Sequence, residues 1–384
     1  GGPAGAETRK GSLMAPKFGT SGLRGLVVEL TDPLVEQYVR AFLAACPQSD
    51  AVYIGRDLRE SSPRIAEAVI RAVQAAGLRA IDCAAVPTPA LALASLQHGA
   101  SAIMITGSHI PADRNGLKFY VPSGEISKAD ETAIMAALQH RHPDAERPGA
   151  REENGDCAAR YLARYHGAFG PDALAGLRIG VYEHSSVARD IFGQAVAALG
   201  GTAVLLARSE TFIPVDTEAV DPETRQQLAE WAATHGLDAI ISTDGDGDRP
   251  MLADATGRIV PGDVLGAVTA RFLGATVLVT PVSSNTQIGQ MAGFTSIART
   301  KIGTPFVIAA MEAALVDDPT AAIVGYEANG GFLLGFAAQG PTGTLAPLMT
   351  RDSLLPALAP LAAAQARGES MATLVAALPQ RFTA

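Results

Sequence analysis

The stretch AIMITGSHIPADRNGLKFY, residues 102–120, begins as one kind of structure and ends as another. Ala102, Ile103, Met104 and Ile105 form a short continuous apolar run, the pattern of a fully buried strand. Thr106, Gly107, Ser108 and His109 follow directly, then Pro111, Asn115, Gly116 and Lys118. In open α/β sheets, ligand loops lie beyond the carboxyl ends of the strands. A core strand that opens into small residues carrying a hydroxyl, an imidazole and an ammonium fits that place. Ser108 there can serve as a nucleophile or phosphate carrier, with His109 and Lys118 supplying positive charge or proton transfer. Taken alone, TGSH is also what a serine-rich turn looks like. The Gly-x-Ser-x-Gly elbow of hydrolases is absent.

Outward from this stretch the same rhythm recurs. AVYIG (51–55) reads as a strand and 61–76 as a helix, entered through Ser61, Ser62 and Pro63. LRAIDCA is a further strand and 127–140 a helix, before the polar, proline-bearing run 140–155. The alternation restarts with LRIGVYE, a helix at 186–199, TAVLLA, a helix at 221–235 and LDAIIST. It restarts again after Pro261-Gly262, with helices at 263–273 and 304–315 and strands ATVLVT, TSIART and AAIVGYE. Strand–helix alternation predicts parallel or mixed sheets flanked by helices. The expected organisation is three consecutive α/β domains with the active site in the cleft between them: 16–150, 151–258 and 259–366, after an N-terminal arm (1–15). Residues 367–384 read as a linker.

Bulk properties bound the function. The 384 residues are 48% hydrophobic and 18% charged, enough to bury several cores. A net charge of −9 argues against nucleic-acid binding. Cys46, Cys83 and Cys157 form neither a disulfide framework nor a zinc site. No apolar run approaches the ~18 residues of a membrane span, and the N-terminus lacks a secretory core. A cytoplasmic protein, monomeric or weakly dimeric and without membrane or nucleic-acid partners, is expected.

Four other loops carry chemistry. In STDGDGDRP (242–250), Asp244, Asp246 and Asp248 alternate with glycines after a strand. Carboxylates crowded on one loop repel unless a cation lies between them, and all-oxygen ligands favour Mg²⁺ or Ca²⁺. An EF-hand is excluded, because Arg249 and Ala255 stand where it needs glycine and glutamate. Such a site leaves room for a phosphate oxygen. KFGTSGLRG (17–25) brings Arg24 on a small-residue loop and matches neither a P-loop nor GxGxxG. GRDLRESS (55–62) holds Arg56, Asp57 and Arg59, read as a structural ion pair. VGYEANGGF (324–332) offers Glu327 and Asn329, able to bond sugar hydroxyls or simply to form a turn at Asn329-Gly330.

Together these loops resemble the α-D-phosphohexomutase superfamily, which includes phosphomannomutases and phosphoglucomutases, along nearly the whole chain. FGTSGLRG is similar to its N-terminal active-site loop, TGSHIPADRNGLK to its phosphoserine loop and DGDGDR to its magnesium loop. RTKIGT (299–304), with Thr300 and Gly303, resembles the Thr-x-x-Gly loop for the sugar phosphate, and YEANGG the sugar-binding loop. The resemblance implies a phosphoserine at Ser108 held by Mg²⁺ on the three aspartates. It also implies exchange of hexose 1- and 6-phosphates through a hexose 1,6-bisphosphate, mannose before glucose. Arg24, Lys118, His109 and Arg249 would attend the phosphate, and Glu327 and Asn329 the sugar. The sequence departs from the family pattern at Gly107 (usually alanine), Ile110 (asparagine), Asn329 (serine) and Gly331 (often histidine). The family's fourth domain carries an R-x-S-G-T loop, which does not occur in these residues. A metal-dependent sugar phosphatase with an aspartate nucleophile, and a non-catalytic sugar-phosphate binder, are the alternative readings.

Overall fold

A computed structural model describes residues 15–19 and 22–379. Residues 1–14 of the expected arm (1–15), Thr20 and Ser21 of the first loop, and residues 380–384 lie outside the described residues. Three mixed sheets carry the fold, each with helices on its faces, as the alternation predicts. In the first sheet, Ala51–Arg56 lies between the parallel strands Arg79–Ala85 and Ser101–Ile105. Arg114–Val121 then runs antiparallel to Ser101–Ile105 and carries Gly22–Leu26 on its other side. The second sheet is centred on Arg178–His184 and Ala239–Thr243, the third on Val277–Pro281 and Ile323–Tyr326.

Arg151–Glu153, expected to open the second unit, instead pairs in parallel with Arg79–Ala85 at the edge of the first sheet. Its polar side chains are exposed, so no hydrophobic pattern marks it as a strand. Helix Thr88–Gln97 was not legible either, because its buried PALALAS face shows no amphipathic period. Ser61 and Ser62 do not cap the helix Ser62–Ala75 with their side chains. The Ser62 hydroxyl donates to Asp57, and both hydroxyls accept from Asn115. Within the stretch read as a linker, helix Met371–Ala376 buries Met371 and Leu374, and Leu378 just beyond it buries in the same core. No helix among the described residues is long and apolar enough to cross a membrane.

The strand Leu348–Asp352 ties the units together. Thr350 Oγ1 bonds the Tyr120 hydroxyl of the first sheet at 3.1 Å. Arg351 reaches Asp248 of the second unit, and the Ser353 hydroxyl donates to the Gly247 carbonyl at 2.6 Å. Asp352 accepts from the hydroxyls of Tyr161 and Tyr165 on helix Cys157–Phe169 and from the Leu354 amide. All three side chains are buried, so removing the acceptor strands two hydroxyls without water. Asp352→Ala should therefore lower the unfolding free energy by about 3–5 kcal/mol, and Tyr165→Phe by about 1–2. Urea unfolding checks both; unchanged midpoints would mean that this contact does not hold the second and third units together.

Candidate active site

Most of the loops expected to carry chemistry come together where the three units meet. Beyond strand Ser101–Ile105 the chain turns at Ser108, whose φ of 55° is rare for a residue with a side chain. Ser108 is only 2% exposed. Its Oγ donates to Asp244 Oδ2 at 3.3 Å and lies 3.3 Å from His109 Nδ1. Arg249 Nη1 donates to the same imidazole nitrogen at 2.9 Å, which fixes Nδ1 as an acceptor. Burial, then the neighbouring Arg249 charge, pushes the His109 pKa down to about 4.

The aspartate loop follows strand Ala239–Thr243. Asp244, Asp246 and Asp248 are buried, with one oxygen of each within 4.8 Å of the others. The turn depends on Gly247, where φ is 76° and a Cβ would sit 2.9 Å from that of Ala188. Asp246 Oδ2 accepts from Thr88 at 2.7 Å, and Asp244 Oδ1 accepts from the Arg249 amide at 3.2 Å. Burial and the adjacent charges push Asp244 well above the usual carboxylate range and raise Asp246. Burial works the same way on Asp248, but Arg351, Lys118 and Arg249 overcome it and hold that carboxyl low. Asp246 Oδ1 and Asp248 Oδ1 are buried without a hydrogen-bond partner. Unspent hard oxygens on Asp246 and Asp248, beside the third carboxylate of Asp244, are a donor set that fits a divalent cation.

Cations line the other side. Arg24 sits on Gly22–Leu26 opposite Gly116; burial, then the charges of Arg351 and Arg249, lower its pKa. Lys118 Nζ lies 3.3 Å from Glu125 and 3.6 Å from Asp248. Burial pulls its pKa down, but Glu125, followed by Tyr120 and Asp248, outweighs it, so Lys118 is held as an ammonium. Arg351 Nη2 lies 2.9 Å from Asp248 Oδ2, and its Nε lies 3.8 Å from Glu327. Lys118 Nζ, Arg249 Nε and Arg351 Nε are all buried with no hydrogen-bond partner, so each has a donor to spare.

The third unit closes the cleft. Glu327 follows strand Ile323–Tyr326 and accepts from Thr304 at 2.8 Å, and Arg351 connects it to the aspartate loop. Asn329 Oδ1 accepts from the Gly331 amide at 2.8 Å, which leaves its NH₂ uncommitted to that turn. Gly303 precedes helix Thr304–Asp317 with φ 130°. Thr300 stands apart, half-buried, its hydroxyl donating to the Lys301 carbonyl. Sequence reasoning missed Arg351, Thr304, Glu125 and Thr88. Arg351 lies in an antiparallel strand, outside the strand-end loops where ligands are sought. Thr88 carries no local signal.

The crowded carboxylates predict opposite effects of one substitution. Asp246→Asn keeps an acceptor for Thr88 but removes one of three buried charges. It should raise the metal-free melting temperature by a few degrees, roughly what relief of about 1 kcal/mol gives. It should also weaken binding of a divalent cation about ten-fold or more, read by titration calorimetry with Mg²⁺. A lower metal-free melting temperature with unaltered Mg²⁺ affinity would make the loop a structural turn.

Comparison with known proteins agrees with this geometry. The family models for phosphoglucomutase/phosphomannomutase alpha/beta/alpha domains I, II and III match residues 15–144, 159–257 and 261–382 in that order. A phosphomannomutase of Sinorhizobium fredii is 44% identical over 359 residues, covering 91% of this chain and 75% of its own length. A phosphomannomutase of Salmonella muenchen is also 44% identical, covering 95% of this chain and 76% of its own length. Among solved structures, a phosphoglucomutase/phosphomannomutase family protein of Burkholderia thailandensis superposes with a TM-score of 0.78 at 22% identity, covering 94% of this chain and 79% of its own. A structure titled putative phosphomannomutase from Thermus thermophilus gives 0.76 at 22% identity, covering 94% and 83%. These structures share the fold, and with the three domain matches and the 44% identical relatives they establish that the chain belongs to the phosphoglucomutase/phosphomannomutase family, within the α-D-phosphohexomutase superfamily.

Proposed function

We propose that this protein is a phosphohexomutase that interconverts hexose 1-phosphate and 6-phosphate, with mannose preferred over glucose, and that Ser108 is its phosphate carrier. The observation that carries the reading is the set of unspent charges around one buried serine: open carboxylate oxygens on one side, and Lys118, Arg249 and Arg351 donors on the other. A phosphate dianion esterified to Ser108 suits those donors. The preference for mannose leans on the two phosphomannomutase relatives. The division of labour follows three units, with Arg151–Glu153 passing to the first: we take 16–153 for the phosphoserine loop, 154–258 for the aspartate loop and 259–366 for the sugar.

In the first half-reaction, an O1 or O6 hydroxyl oxygen of the sugar phosphate forms a bond to the Ser108 phosphorus as the Ser108 Oγ–P bond breaks. In the second, Ser108 Oγ takes the other phosphoryl group from the 1,6-bisphosphate. Phosphoryl transfer asks mainly for alignment and charge neutralisation. Asp244, Asp246 and Asp248 would hold Mg²⁺, which when bound neutralises charge on the phosphate beside Ser108. Lys118, kept protonated by Glu125, and Arg24, Arg249 and Arg351 bind the phosphoryl oxygens. His109 lies 3.3 Å from Ser108 Oγ, but its Nδ1 already accepts from Arg249, so it orders the surroundings of the phosphate; the proton that leaves the attacking sugar hydroxyl passes to Ser108 Oγ as that oxygen leaves phosphorus. Glu327 and Asn329 orient the sugar through its hydroxyls, and the loop at Gly303, before helix Thr304–Asp317, meets its non-reacting phosphate.

An aspartate-nucleophile phosphatase would not need the serine, so Ser108 decides between the readings. The wild type incubated with hexose 1,6-bisphosphate should gain about 80 Da, one phosphate, on Ser108. Ser108→Ala should lose that mass and its turnover of mannose 1-phosphate while melting within a degree or two of the wild type, since one small hydroxyl adds little to packing. Turnover above a few per cent of wild type in this variant would remove Ser108 from the role.

A further inference from the structure

We infer that the buried pair Asp57–Arg59 is a positioning device for the phosphate carrier, gripping the Ser108 backbone at both its N–H and its C=O. The inference rests on Ser108 being the carrier. Arg59 is 1% exposed, and all five of its guanidinium N–H groups are spent. Nε donates to Asp57 Oδ2 at 3.2 Å. Nη1 donates to the carbonyls of Pro111 and Arg114 at 2.7 and 2.9 Å. Nη2 donates to the carbonyls of Ser108 and Ile110 at 3.2 and 2.6 Å. Four of the five donors therefore go to one loop, 108–114, rather than being spread over the elements of the sheet.

The other end of the pair holds the amide. Asp57 Oδ2 accepts from the Thr106 hydroxyl at 2.8 Å, and Thr106 Oγ1 in turn accepts from the Ser108 N–H at 2.8 Å. Asp57 Oδ1 is occupied by the Arg59 amide and the Ser62 hydroxyl, so the carboxylate cannot swing away. Ser108 is thus held in a left-handed conformation that a non-glycine residue keeps only when its surroundings impose it. That conformation places Oγ between Asp244 and His109.

Two neighbours complete the clamp. A Cβ at position 107 would sit 2.5 Å from Arg59 Cζ, so glycine there is what lets the guanidinium pass under the loop. The Phe212 ring of the second unit lies 4.3 Å from Arg59 Cζ. The carrier loop is thereby referenced to the unit that bears the aspartates. A residue that reads as a plain structural ion pair in sequence acts on the chemistry through Ser108.

Arg59→Lys tests this, because a lysine keeps the charge but cannot serve four carbonyls in a planar fork. Dephosphorylated enzyme is mixed with hexose 1,6-bisphosphate, and phosphate on Ser108 is followed by intact mass. Positioning predicts that the variant still reaches one phosphate per chain, with Mg²⁺ affinity and KM unchanged, at a rate about 100-fold lower. A merely structural role would lower the phosphorylated fraction and leave the rate. Full stoichiometry at a rate within about three-fold of wild type overturns the inference. Thr106→Val, which removes one hydroxyl and leaves the ion pair, covers the case in which Arg59→Lys does not fold. It should slow phosphorylation about ten-fold at full stoichiometry, and a wild-type rate overturns the inference equally. Ser108→Ala run alongside separates the two levels. If it still takes up phosphate, the carrier assignment fails; if it does not, and the other variants are fast, only the clamp fails.

Discussion

Burying three carboxylates on one turn is the constraint from which the rest of this site follows. Asp244, Asp246 and Asp248 lie too close together, and too far from water, to be charged unaided. Each unit contributes something to offset them: Lys118 from the first, Arg249 from the aspartate loop itself, and Arg351 from the third. The compensation is incomplete by design of the chemistry, since carboxylate oxygens and cationic donors both remain unspent. A cation and a phosphate dianion suit that remainder together, which is why a metal site and an anion site share one cleft.

Such a cluster forms only if the three units are held in register. Much of that falls to the strand Leu348–Asp352 and its next residue. Thr350 contacts the first unit, Arg351 the aspartates, Asp352 the helix Cys157–Phe169 and Ser353 the Gly247 carbonyl. In a strand, successive side chains point to opposite faces, so one short segment can meet several neighbours at once. Stability and function are therefore coupled here: Asp352, which anchors the second unit to the third, adjoins Arg351, which neutralises Asp248.

Three departures from the family pattern have local physical settings. Gly107, where alanine is usual, faces the Arg59 guanidinium, which takes up the space of a methyl group. Gly331, where many members carry histidine, lies against Arg351, and a Cβ there would come within 2.7 Å of the arginine Cδ. The positive charge beside Glu327 is thus supplied from the neighbouring strand rather than from the loop itself. Asn329, in the place of serine, spends its oxygen on the Gly331 amide.

Much of this was legible in the chain because it depends on local chemistry. Apolar runs ending in small-residue loops mark the parallel strands, alternating aspartates and glycines mark the cation loop, and TGSH beside a core strand marks Ser108. Those signals need only residues a few positions apart. Other features had no such signal. Arg151–Glu153 is polar and gains its place through backbone pairing alone. Helix Thr88–Gln97 is apolar over most of its surface because other elements cover it on several sides. Thr88 meets Asp246 across 158 residues and Tyr120 meets Thr350 across 230, separations that no local pattern encodes. The same holds for Arg59, which looks in sequence like half of an ordinary ion pair. Its bonds to the carbonyls of Ser108, Ile110, Pro111 and Arg114 exist only because the sheet lays strand Ala51–Arg56 beside strand Ser101–Ile105. Local residue chemistry chose the reactive groups; the pairing of distant strands decided which charges surround them.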